Sequence, residues 1–187
     1  WRYFLLLVFA AGVGNAFVHH YLYIYINAIG GSGTMRGIAL AVATVSELVV
    51  FGFADRLLRR YRPYTLILVA MAGVGVRAVL MGIIANPVVA LLPQLMHGVS
   101  FSLLLVAGVA IARRLAPEGM SATAQALFTG THMGAAGVAG ALLGGLLYRF
   151  MPVSRVFLFA GVAELVMVLL FALLRRRVTA TRGEPTV

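Results

Sequence analysis

The sequence predicts an all-α membrane protein, a bundle of six transmembrane helices, and three observations lead there. The first is composition. Of 187 residues, 62% are hydrophobic and 11% charged, where a soluble domain has roughly 45–50% apolar and about 25% charged residues. So few polar side chains cannot clothe a water-facing surface of this size, whereas a bilayer accepts the apolar one. The second is the number of long apolar runs. The third is the placement of the arginines at their ends.

A crossing of the hydrocarbon takes about 20 mostly apolar residues. Six runs meet that length, at about 3–29, 37–54, 64–85, 88–112, 121–148 and 155–174. The first ends at Gly30-Gly31-Ser32-Gly33 and carries Asn15, His19, Tyr23 and Asn27 at every fourth position. With His20 these make one broad polar and aromatic face. The second holds Thr44 and Glu47 about one turn apart and leads into the basic connection Asp55 to Pro63. The third has Arg77 in mid-span and stops at Asn86-Pro87. The fourth places Gln94, His97 and Ser100 at i, i+3 and i+6, and Pro117-Glu118-Gly119 follows it. The fifth sets out Gln125, Thr129 and His132 in similar spacing. It also contains the pairs Gly130–Gly134 and Gly140–Gly144, small-residue steps that let helices approach closely. After Met151-Pro152 the sixth carries a lone Glu164. No linker divides the chain, so 1–174 is read as one six-span domain and 175–187 as a basic cytoplasmic tail.

The net charge of +10 would point a soluble chain to nucleic acid. Here the fifteen basic residues are all arginine, and all but Arg77 lie at or beyond span ends. Nucleic acid is therefore not an expected partner; the lipid bilayer is. With the N-terminus inside, eleven arginines are cytoplasmic: Arg2, Arg56, Arg59, Arg60, Arg62, Arg113, Arg114, Arg175, Arg176, Arg177 and Arg182. Three, Arg36, Arg149 and Arg155, are outside. That bias puts both termini in the cytoplasm of a multi-pass protein of the cell (inner or plasma) membrane. The chain starts at Trp1 with an apolar run already long enough to span, and reads as a piece of a longer protein.

Ionisable groups inside a span are costly and mark polar interiors or solute paths. Against that stands the plainer reading that they satisfy one another, and that Thr44, Ser100 and Thr129 merely join helices by hydrogen bonds. Glu47, Arg77 and His97 are the candidates for solute and proton coupling. Asn15, His19, His20, Tyr23, Asn27, Gln94, Ser100, Gln125, Thr129 and His132 are candidates to line a cavity. An enzyme is not expected. There is no cysteine, no His-Glu-x-x-His and no Gly-x-Ser-x-Gly elbow. The four histidines show no tight ligand spacing, so neither metal nor cofactor is expected.

The connection Gly52-Phe53-Ala54-Asp55-Arg56-Leu57-Leu58-Arg59-Arg60 resembles the cytoplasmic signature loop of the major facilitator superfamily. Trp1-Arg2-Tyr3-Phe4, Ser46-Glu47-Leu48-Val49-Val50-Phe51, Val76-Arg77 and Gln94-Leu95-Met96-His97-Gly98-Val99-Ser100-Phe101 are similar to its lactose-permease-like branch, especially phenylpropionate-permease-like proteins. The resemblance implies a C-terminal six-helix half with a three-plus-three inverted repeat, partnered by a missing N-terminal half. It implies a secondary transporter, a proton-coupled symporter of a small solute such as an aromatic or other organic acid. It gives Glu47, Arg77 and His97 the coupling roles, and Asp55, Arg56, Arg59 and Arg60 the role of a conformational gating loop. Ser100 stands where lactose-type sequences have an acid, matching the hydroxyl of the phenylpropionate-like group. The alternative is a non-transporting scaffold or receptor built on a transporter half.

Overall fold

Inside hydrocarbon a backbone must satisfy its own polar groups, and a long apolar run does so by becoming a helix. The computed structural model describes residues 1–181, with side chains as far as residue 174. It has six helices long and apolar enough to cross a membrane. The first span is Arg2–Ala28, the second Gly33–Gly52, the third Pro63–Ile83, the fourth Val89–Leu115 and the fifth Ser121–Tyr148. The sixth begins a helix that runs Val153–Thr181. Residues 182–187, the end of the expected basic tail, lie outside the described residues.

Local chemistry sets the boundaries. Gly30 takes φ +82, a left-handed conformation open to glycine, and ends the first span. The second starts at Gly33, four residues before the run of hydrophobicity suggests, because Ser32 caps it by accepting the Met35 N–H at 3.3 Å. The connection before Pro63 is not wholly loop: Ala54–Arg60 forms a short helix with Asp55 in its first turn and Arg59 and Arg60 in its last. Those charges oppose the helix dipole at both ends. Pro63 then opens the third span where its missing N–H costs nothing.

Two spans are irregular in the middle. The fourth winds as a 3-10 helix over Val89–Leu95, contains Pro93, loosens to a π-helix over Gly98–Ser102, and becomes α-helical at Leu103–Leu115. The fifth has a π-helical segment at Gly130–Ala135 between two α-helical stretches. Such segments shift the phase of the side chains beyond them and concentrate at functional sites.

Side-chain hydrogen bonds show the spans alternating in direction. Trp1 Nε1 donates to the Leu115 carbonyl at 3.0 Å and Tyr3 to that of Phe171 at 3.1 Å. Tyr25, at the other end of the first span, donates to the Ile84 carbonyl at 2.7 Å. The Ala54–Arg60 helix packs on Leu103–Leu115. Arg56, Arg59 and Arg60 therefore share one end of the bundle with Arg2, Arg113 and Arg114.

The third span lies along the sixth, the first against the fifth, and the second against the fourth. This is the neighbour scheme of an inverted three-plus-three repeat, and the glycines give its register. The His132 carbonyl sits 2.7 Å from where a Cβ of Gly12 would be, and the Ser46 carbonyl fills the corresponding place at Gly98. Adding 86 to Gly12 and Ser46 gives Gly98 and His132, and the same step carries Gly75 and Val79 to Gly161 and Leu165. Those last four residues meet where the third and sixth spans cross. Gly140 and Gly144 close on Val13, Phe17 and Tyr21 of the first span as expected of a packing step, but Gly130 and Gly134 face open space. Both of these glycines lie within the π-helical segment of that span.

Candidate functional site

Four polar side chains of the middle turns converge on one line. From the third span the Arg77 guanidinium reaches the fourth, where Nη1 donates to His97 Nδ1 at 2.7 Å and Nη2 donates to Gln94 Oε1. On its other edge His97 Nε2 lies 2.9 Å from Glu47 Oε1 of the second span. The order is Gln94–Arg77–His97–Glu47. The imidazole stands between the guanidinium and the carboxylate.

Hydrogen-bond direction fixes the ring. A guanidinium only donates, so Nδ1 must accept, and the ring hydrogen is then on Nε2, pointing at the carboxylate. Arg77 and Glu47 remain close enough to interact through charge. Arg77 is 3% exposed and Gln94 fully buried, while the Glu47 side chain keeps 22% of its surface. The carboxylate is the end of the line that opens outward. Arg77 Nε has no partner among the described residues, so the cation has one donor unspent.

Backbone contacts hold the line in place. Gly98 N–H donates to Ser46 Oγ at 2.9 Å and Ser46 Oγ donates to the Ala43 carbonyl at 2.6 Å. Ser102 Oγ donates to the Glu47 carbonyl at 3.4 Å. Because Gly98 lacks a side chain, the second span lies directly on the fourth and Glu47 comes within reach of His97. Phe101 stacks on the His97 ring, centroids 5.5 Å apart and planes 12° from parallel, and sits 6.4 Å from the ring of His132.

The remaining candidates divide. His19 is exposed on the first span but close enough to feel the charge of Arg77. His20 is exposed, 6.0 Å from the His19 ring, and its Nδ1 donates to the Ala16 carbonyl at 2.6 Å. Tyr23 is exposed with the Arg36 guanidinium 5.8 Å above its ring; Asn27, Thr44 and Thr129 are exposed too. Asn15 and His132 are buried, and neither Asn15 Oδ1 nor His132 Nδ1 has a hydrogen-bond partner among the described residues. Ser100 turns back to the Met96 carbonyl at 2.9 Å against Gly73, and Gln125 bonds Ser121 of its own helix. Both side chains bond within their own spans. Asp55, Arg56, Arg59 and Arg60 are exposed on their short helix, away from the line.

Phe101 and Ser46 are the residues that sequence reasoning misses. Phe101 reads as one more apolar residue of a span, and only four-residue spacing from His97 hints at the stack. Ser46 acts through a neighbour 52 positions away, and nothing in its own surroundings announces that. No group of three or more His, Asp or Glu side chains able to hold a metal ion gathers among the described residues.

Residues 1–159 match the model of the MFS_1 like family. The chain is 31% identical over 166 residues to a maltose permease of Geobacillus stearothermophilus, a match that takes in 88% of this chain and 41% of that protein. The chain thus spans about two fifths of the length of the curated relative it matches.

Proposed function

The chain belongs to the major facilitator superfamily, and on that premise we propose that it is a six-span half of a secondary transporter that moves a small organic acid together with protons. It is a multi-pass membrane protein of that family, and no part of its chemistry asks for a catalytic role. The observation that carries the proposal is the Gln94–Arg77–His97–Glu47 line, with the cation buried and the carboxylate at the open end.

The line links two ligands by charge. Arg77 is permanently cationic and low dielectric strengthens its pull on any anion nearby. With Glu47 ionised, that pull is already answered through His97. When Glu47 takes up a proton its charge disappears, and the cation is left to attract a carboxylate of the solute. Proton and anion therefore favour one another's binding, and linkage makes the effect reciprocal. His97 transmits the state of Glu47 because its two nitrogens face the two charges. A doubly protonated ring would turn an N–H toward the guanidinium, so the relay asks His97 to leave Arg77 if it is to carry the proton itself. In this reading His19, exposed on the first span, meets the solute first.

In this reading the exposed polar faces of the first, second, fourth and fifth spans line half of a central path. A second six-span half covers them, and alternating access is the rocking of one half on the other. The cytoplasmic side is the arginine-rich end, where the Ala54–Arg60 helix gates the movement. The relative's name brings in a second class of solute, a neutral sugar, which the unspent Arg77 donor does not require.

The complete transporter in liposomes, with a pH indicator outside, distinguishes them. Aromatic carboxylates, aliphatic carboxylates and maltose are added in turn. Carboxylate entry with loss of protons from the medium is expected. Maltose entering with protons while carboxylates do not would replace the acid by a sugar, and solute entry without proton movement would end the coupling proposal.

A further inference from the structure

A buried carboxyl group takes no part in the Gln94–Arg77–His97–Glu47 line. Glu164, in the sixth span, is 5% exposed and its Oε1 has no hydrogen-bond partner among the described residues. Its carboxyl group lies flat on the first span at Gly14. A Cβ added there would stand 2.6 Å from Oε2 and 2.8 Å from Cδ, so the absence of a side chain at position 14 makes the room the carboxyl group occupies.

Among the described residues, the elements packed around it offer no counter-charge. The sixth span touches the third, the first and the end of the fifth. On the third, Arg77 is turned to Gln94 and His97. On the first, His19 is exposed, His20 bonds the Ala16 carbonyl, and Tyr21 and Tyr25 donate to the Ala141 and Ile84 carbonyls. His132 of the fifth packs at Gly12, two positions from Gly14 and so on another face of the helix. In its own span Arg155 is nine residues away, more than two turns. A carboxylate with neither cation nor hydrogen-bond donor is among the costliest groups to bury, and the neutral acid is far cheaper.

We propose that Glu164 is a second proton-binding site, a carboxyl group that holds its proton between the sixth span and the bare backbone of the first. Its proton is released only when water reaches Gly14, which requires those two spans to part. The proton at Glu164 is thereby linked to the position of the first span. This site shares no hydrogen bond with Glu47, and it stands whether or not the coupling proposal does.

The test uses the chain purified in detergent micelles, in three forms: wild type, Glu164→Gln and Glu47→Gln. Infrared spectra at neutral pH resolve the carbonyl stretch of a protonated carboxylic acid from the bands of ionised carboxylates. The wild type and Glu47→Gln should show the protonated-acid band and Glu164→Gln should lack it. Glutamine is the neutral isostere and has no proton to lose on unfolding, so Glu164→Gln should melt at or above the wild-type temperature at neutral pH, where the unfolded wild-type carboxyl ionises. Raising the pH should then lower the wild-type melting temperature and leave that of Glu164→Gln unchanged. A band that survives in Glu164→Gln, or that is absent from the wild type, overturns the assignment. So does a Glu164→Gln protein that fails to fold or melts well below the wild type at neutral pH, since that is the behaviour of a carboxylate deprived of a partner.

Discussion

A histidine with a permanent donor on one nitrogen has its tautomer decided for it. Arg77 donates to His97 Nδ1 at 2.7 Å and Glu47 lies 2.9 Å from Nε2, so the ring hydrogen sits on Nε2. Nitrogen-15 spectra of histidine-labelled protein should show Nδ1 of His97 bare and Nε2 protonated. The opposite tautomer would mean that Arg77 is not the donor. Arg77→Ala leaves Gln94 Oε1 and His97 Nδ1 buried without a donor and Glu47 without its cation. Breaking a buried charged network in this way costs about 3–5 kcal/mol, which thermal unfolding in detergent should register as a marked drop. An unchanged melting temperature would show the guanidinium solvated from elsewhere. At this scale the sequence is informative about residue type: charge within a span is rare enough that Glu47, Arg77 and His97 stand out unaided. It is silent about order. That His97 separates the two charges depends on side-chain reach across three helices, which no spacing along one helix encodes.

At the scale of the helix, existence was legible and phase was not. A bilayer demands helices of about the right length wherever about 20 apolar residues run together, and the six spans lie within a few residues of the hydrophobic runs. Positions i, i+3 and i+6 share a face only while the helix keeps 3.6 residues per turn. In the fourth span the winding changes on both sides of His97, so Gln94 and His97 both reach Arg77 while Ser100 bonds its own backbone and packs at Gly73. The same change of phase in the fifth span separates the glycine pair that packs from the one that does not. Gly98→Val and Gly130→Ala test this reading as a pair. At Gly98 the Ser46 carbonyl occupies the place a side chain would need. Overpacking there should cost about 1–3 kcal/mol and move Glu47 away from His97. Gly130 has open space, so its replacement should change stability by no more than about 0.5 kcal/mol. Equal effects at the two positions would show that the close contact of the second and fourth spans is not what holds the site.

Across the whole molecule, the register step that carries Gly12 and Ser46 to Gly98 and His132 makes the bundle two inverted triplets of spans. Almost none of that repeat shows as residue identity. What recurs is a missing side chain where a carbonyl must fit. The alternation of spans puts positions 56 and 113 at one end of the bundle, beside Trp1. Single cysteines there should react with an impermeant maleimide from the same side of a sealed vesicle, the cytoplasmic one. Labelling from opposite sides would break the topology. A half with its polar faces uncovered should also not move solute alone, and uptake by liposomes holding only this 187-residue chain would contradict the need for a second half. The claim on which the functional reading turns is that Glu47 exchanges a proton against the solute's hold on Arg77. Its most direct measurement compares two assays of the complete transporter carrying Glu47→Gln. One is exchange of labelled solute at equal concentrations on both sides; the other is accumulation driven by a proton gradient. Exchange should persist and accumulation should be lost. Accumulation at the wild-type level, with the wild-type dependence on pH, would show that Glu47 does not carry the coupled proton and that the four-residue line is only structural.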